Sequence, residues 1–176
     1  MNTAAVLTIS DSSFNGKRKD LSGPAIVKEL SAAGFQVART AILPDERDQI
    51  EQQLIDCCRH VQLVVTVGGT GIAVRDVTPE ATLAVVERRI EGIPERMRAE
   101  GAAKTPLAAL SRGICGTRGR SLILNLPGSP KAAVESLQAV VDILPHALEL
   151  LSGNTSHEIG PSGHRGIGVS ERKRSR

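Results

Sequence analysis

Two acids and two glycine-bearing turns are the residues best suited to do chemistry. Residues 64–82, VVTVGGTGIAVRDVTPEAT, run from an apolar stretch into Gly68, Gly69 and Gly71, then reach Asp76 just before Thr78-Pro79-Glu80. Glycine permits positive φ and lets a ligand approach the peptide N–H groups. A loop of this kind leading into a helix start favours anions. A tight strand-to-helix connection without a ligand accounts for the same glycines equally. The loop matches neither GxGxxG nor the Walker A pattern. Asp45 closes an earlier apolar stretch. If the two stretches are neighbouring strands, Asp45 and Asp76 meet across one cleft. Such a pair beside a phosphate suits Mg²⁺, whose charge offsets that of a transferring phosphoryl or nucleotidyl group. A helix N-cap is the alternative for Asp45. Arg75 reads either as a surface ion-pair partner or as a phosphate ligand.

The second turn is NLPGSP, 125–130, with Ser129 as hydroxyl donor or N-cap. A rigid turn with proline opening a helix is the plainer reading. Two anion-friendly loops on one sheet edge suit a ligand with two anionic ends.

The intervening sequence must hold these loops in place. Residues 4–10, 35–43 and 61–67 read as strands, and 121–126 as the second strand of a hairpin within 107–126. Helices are predicted from an N-cap at Ser22-Gly23-Pro24, with proline in the first turn, over 45–59, from a Thr78 cap onward, over 93–103, and as one long closing helix over 131–151. Residues 12–20 read as a loop. Alternation of strands and helices, with apolar rather than alternating strands, predicts an α/β fold: a three-layer α/β/α sandwich with a mainly parallel sheet. In such sheets ligands bind beyond the carboxyl ends of the strands. Those ends are residues 10–11, 44–45, 68–76 and 127–130.

Composition narrows the function. The chain has 176 residues, of which two are Phe and none Tyr or Trp. So few aromatics argue against a single-strand nucleic-acid binder. The net charge of +3 lies wholly in residues 154–176, which hold five basic and two acidic side chains; the other 153 residues are neutral. The expected organisation is one domain over 1–153 and a basic, flexible tail over 154–176. The tail reads as a solvated end, or as a weak contact for nucleic acid or anionic surfaces. Cys57, Cys58 and Cys115 show no framework spacing, and the four histidines show no zinc-ligand spacing. No stretch has the length of a membrane span and no signal peptide is read at the start, so the expected location is the cytoplasm.

Taken together, ISDS at 9–12, LPDE at 43–46, GGTGIAVRDVTPEAT at 68–82 and LILNLPGSPKA at 122–132 resemble the molybdenum cofactor biosynthesis family of MoaB and Mog type. The resemblance covers about residues 4–152. It implies a molybdopterin-binding fold in a homotrimer, or a hexamer in some MoaB-like members. It also implies molybdopterin adenylyltransferase activity, with ATP and molybdopterin as substrates, Mg²⁺ as cofactor, and the downstream molybdate-insertion enzyme as a partner. By analogy Asp45 and Asp76 are the catalytic and Mg²⁺-holding acids. Ser10, Asp11, Gly69, Thr70 and Gly71 fall on the nucleotide side. Ser111, Gly128, Ser129 and Pro130 fall on the molybdopterin side. A non-catalytic, MoaB-like carrier of molybdopterin is the alternative within the same fold. The basic KRK at 17–19 and the segment HRGIGVSERKRSR belong to none of these motifs.

Overall fold

The computed structural model describes residues 1–153. The basic segment predicted to be a flexible tail lies outside the described residues. The elements in chain order are β1 (Thr3–Ile9), α1 (Asp11–Phe14), α2 (Ser22–Ala32), β2 (Gln36–Leu43), α3 (Arg47–Cys57), β3 (Leu63–Val67) and α4 (Thr78–Val85). There follow β4 (Arg88–Arg89), α5 (Gly92–Ala102), a 3₁₀ turn at Pro106–Leu110, β5 (Cys115–Arg118), β6 (Ser121–Leu126), α6 (Pro130–Gln138) and α7 (Leu144–Ser152). The six strands form one sheet in the order β2-β1-β3-β6-β5-β4. β2, β1, β3 and β6 run parallel, and β5 and β4 are antiparallel additions at one edge.

Side chains alternate across the sheet, so each central strand feeds two cores. Ala4 and Val6 of β1 face α2, α5, α6 and α7, where Ile26, Leu30, Met97, Leu137 and Leu144 complete one layer. Ala5, Leu7 and Ile9 face α3 and α4, against Ile50, Leu54, Ala81 and Val85. Both faces are covered, which is why β1, β3 and β6 read as unbroken apolar runs. The α/β/α sandwich expected from the sequence is the architecture found. β2 is an edge strand and half exposed, with Ala38 bulged out of its register against β1. A bulge blunts an edge that would otherwise be open to further pairing.

Four local expectations need correcting. The closing helix is two helices, α6 and α7, separated at 139–143. Pro145, in the first turn of α7, has no N–H to continue a helix running in from α6. The segment 12–20 is not all loop, because Ser10 accepts from the Ser13 N–H and caps the single turn α1. Ser22 is already helical, and the cap at α2 is the Asp20 carboxylate, which takes the N–H groups of Ser22 and Gly23 at 2.9 and 3.0 Å. Thr78 is the first residue of α4 and does not cap it; its hydroxyl is buried and unpaired.

Candidate active site

The parallel strands β1, β2, β3 and β6 end on one side of the sheet, and every loop singled out by its chemistry follows one of them. Asp11 and Asp45 sit just beyond the adjacent strands β1 and β2 and hold each other reciprocally. The Asp11 N–H donates to Asp45 Oδ2 at 2.9 Å, and the Asp45 N–H donates to Asp11 Oδ1 at 3.0 Å. Asp45 is therefore not the helix cap that its spacing also allowed. Glu46 occupies the cap position of α3.

The glycine loop carries the backbone from β3 to α4. Gly68 has φ +110° and Gly69 φ +62°, conformations that a side chain would strain. The Gly68 N–H extends the β3–β6 ladder to the Leu126 carbonyl, and the Thr78 N–H donates back to the Gly69 carbonyl. Gly71 has no φ requirement; a Cβ there would press on the Asp76 carboxylate. Among the described residues, the N–H groups of Gly69, Thr70 and Gly71 donate to no protein acceptor.

Arg112 fixes the loop from the far side. Its Nε donates to the Gly71 carbonyl at 2.6 Å, one Nη to the Asp76 carbonyl at 2.7 Å, and the other Nη pairs with Glu80. Its backbone N–H donates to the Thr70 carbonyl. Asp76 is thereby positioned through its own backbone, and its Oδ2 accepts from the Ala73 N–H at 2.9 Å. Arg75 turns away to a bidentate pair with Asp11, at 2.9 and 3.1 Å, and a contact with Glu46 at 2.9 Å. Of the two roles open to it from sequence, the structure shows the ion pair.

Two cavities meet at these loops. One, of about 410 Å³, is polar and lined by Ser10, Ser13, Arg18, Asp20 and Asp45 among others. The other, of about 560 Å³, is lined by Met97, Leu107, Leu110 and Ser111, together with Thr70 and Gly71. Gly69, Asp76, Gly128 and Ser129 line both, so they form the seam. Ser22 Oγ holds the seam in place by donating to the Gly128 carbonyl at 2.7 Å. Ser129 stands at the cap position of α6, whose helix opens with Pro130. Asp45 and Asp76 share the polar cavity, but not from neighbouring strands as the sequence allowed: β1 lies between β2 and β3. Thr70 and Gly71 line the cavity of Ser111 rather than that of Ser10. Neither Asp11 nor Pro130 is among the residues lining these two cavities; Asp11 is engaged by Asp45 and Arg75.

The electrostatics follow from this packing. Burial raises the Asp45 carboxyl above the usual range; the Asp11 N–H opposes that, and the charges of Asp11 and Asp76 add to it. The Asp45 N–H and then Arg75 hold Asp11 below its usual range. A divalent cation between Asp45 and Asp76 would relieve the raised Asp45. Mg²⁺ takes one or two carboxylates together with substrate oxygens, so this pair fits it. Among the described residues, no group of three or more His, Cys, Asp or Glu side chains forms a larger metal cage.

Sequence reasoning missed Asp20 and Arg18, the clamp made by Arg112 and the bond from Ser22 to Gly128. Arg112 lies 41 residues from the Gly71 it clamps, and nothing in the local sequence signals such a contact. Asp20 was legible in principle, as an acid two residues before a helix start.

A mainly parallel α/β/α sandwich with its candidate site at the strand ends defines the class; within it, the chain belongs to the probable molybdopterin binding domain family, whose model matches residues 5–146. Among its relatives, the molybdopterin adenylyltransferase of Helicobacter pylori strain J99 is 45% identical over 153 residues, covering 85% of this chain and 87% of that protein. The molybdenum cofactor synthesis protein cinnamon of Drosophila melanogaster is 43% identical over 159 residues, 88% of this chain, which spans only 26% of that longer protein. Among solved structures, the molybdopterin biosynthesis enzyme MoaB of Thermus thermophilus superposes with a TM-score of 0.83 at 49% identity, covering 87% of this chain and 98% of that one.

Proposed function

We propose that this chain is a molybdopterin adenylyltransferase, moving AMP from ATP to the terminal phosphate of molybdopterin in molybdenum cofactor biosynthesis. The observation that carries this reading is the seam: two cavities of different character share Asp76, Gly69, Gly128 and Ser129. One substrate in each would bring their anionic ends together at Asp76. The cavity with Met97, Leu107 and Leu110 suits a flat heterocycle, and the one with Ser10, Ser13 and Arg18 suits a polyphosphate.

A molybdopterin phosphate oxygen attacks the α-phosphorus of ATP. The bond from that phosphorus to the β-bridging oxygen breaks, and pyrophosphate leaves with the electron pair. The attacking phosphate is already ionised near neutral pH, so no strong general base is needed. The peptide donors of Gly69, Thr70 and Gly71 hold the two phosphates in line, and the clamp from Arg112 keeps the loop from yielding. Rate then comes from positioning and charge stabilisation. Asp45 and Asp76 would hold Mg²⁺, which supplies charge neutralisation at the reacting phosphates. We further place the protein in the cytoplasm as a homo-oligomer, trimeric or hexameric, handing its product to a molybdate-insertion enzyme.

The test is incubation of the purified protein with molybdopterin, ATP and Mg²⁺, following adenylylated pterin and pyrophosphate. Both should appear with the native protein. Asp76→Asn should cut turnover by roughly 10²-fold or more while its circular dichroism spectrum stays native. Tight molybdopterin binding without any ATP dependence would instead make the protein a carrier.

A further inference from the structure

Four arginines stand near the seam: Arg98 lines the more apolar cavity, and of the other three the fold itself uses two. Arg75 is held by Asp11 and Glu46, and Arg112 by Gly71, Asp76 and Glu80. Arg18 is different. It lines the polar cavity, yet among the described residues its guanidinium makes no hydrogen bond or ion pair. Its position is fixed from the backbone: the turn at Gly16 has φ +69°, and the Lys17 and Arg18 N–H groups both donate to the Ser12 carbonyl. Of the basic run Lys17, Arg18 and Lys19, only Arg18 reaches the cavity wall.

The charge of that cavity makes the arrangement informative. Its lining carries three carboxylates, Asp20, Asp45 and Asp76, against one cation, Arg18. Asp20 is already committed to Ser22, Gly23 and the Thr8 hydroxyl. A polyphosphate entering there faces strong repulsion unless cations meet it. A guanidinium matches phosphate oxygens in a bidentate fork.

We infer that Arg18 is the residue that binds the β- and γ-phosphates of ATP, and so retains the pyrophosphate leaving group, at the mouth of the polar cavity. This rests on the adenylyl-transfer reading and adds the polyphosphate contact to it. It also places the α-phosphorus on the inner side, toward Asp45 and Asp76.

Equilibrium binding tests this without turnover. The native full chain, Arg18→Gln and the control Lys19→Gln would be titrated with α,β-methylene ATP, with pyrophosphate and with AMP, each with Mg²⁺. Arg18→Gln should weaken the ATP analogue and pyrophosphate roughly tenfold or more and leave AMP within about twofold, with Lys19→Gln behaving as native; in the assay, the KM for ATP should rise and that for molybdopterin should not. Arg18 is exposed, so the substitution should not disturb folding. Equal loss for AMP would overturn the assignment, as would unchanged binding of all three. If the native protein binds these ligands but does not turn over, the adenylyl-transfer reading fails while Arg18 is still judged by the titration. If the native protein binds none of them, both fall.

Discussion

At the scale of single residues, Asp45 is held under tension. Its carboxyl is raised by burial and by the neighbouring charges of Asp11 and Asp76. A raised carboxyl favours the folded state while protonated. That contribution is full at acid pH and is lost as pH rises through the folded value, so at neutral pH the ionised group opposes folding. Asp45→Asn keeps an oxygen for the Asp11 N–H and removes the charge. It should melt at the same temperature as the native protein or roughly 1–4 °C higher at pH 7.5, with the gain shrinking toward pH 4, while adenylyl transfer is lost. Thermal melts of both proteins across that range check the sign. A variant less stable at pH 7.5 would contradict it. Asp11, lowered by the Asp45 N–H and by Arg75, carries the opposite dependence. Burial pushes the Cys115 thiol up to about 12 and the Cys58 thiol up to about 11, and neither lines the two cavities.

Among the elements, β6 does more than complete the sheet. Asn125, fully buried, accepts from the Ile114 N–H at 3.1 Å and donates to the hydroxyls of Thr66 on β3 and Thr82 on α4, each at 2.9 Å. One side chain thus joins β3, α4 and the segment that carries Arg112 and Ser111. Asn125→Ala would strand three buried polar groups and should cost about 3 kcal/mol, read from urea denaturation. Arg112 should also lose its register, so kcat should fall further than stability alone explains. None of this network was legible in the sequence, where Asn125 is only the polar member of an apolar strand. What was legible are the loops at strand ends, because Gly68, Gly69 and Asp76 break apolar runs abruptly. The split between α6 and α7 was legible too, at Pro145, but apolar spacing continuing through Val140 and Val141 hid it. Arg18 was lost inside a basic run, and only the turn at Gly16 distinguishes it from its neighbours.

For the molecule as a whole, the strand order fixes which parts of the site are most secure. Asp76 follows β3, which has a partner on either side, β1 and β6. Asp45 follows β2, which has only β1 and a bulge along its length. An outermost strand with a single partner frays first. On gentle warming or in low denaturant, catalytic competence should therefore disappear ahead of the cooperative loss of ellipticity, with amide exchange in β2 faster than in β3. Coincident inactivation and unfolding would show that the two acids share one fate. The reciprocal clasp between Asp11 and Asp45 then acquires a second meaning: it is a rivet at the hem of the sheet, and where it slips the enzyme falls silent before the protein comes apart.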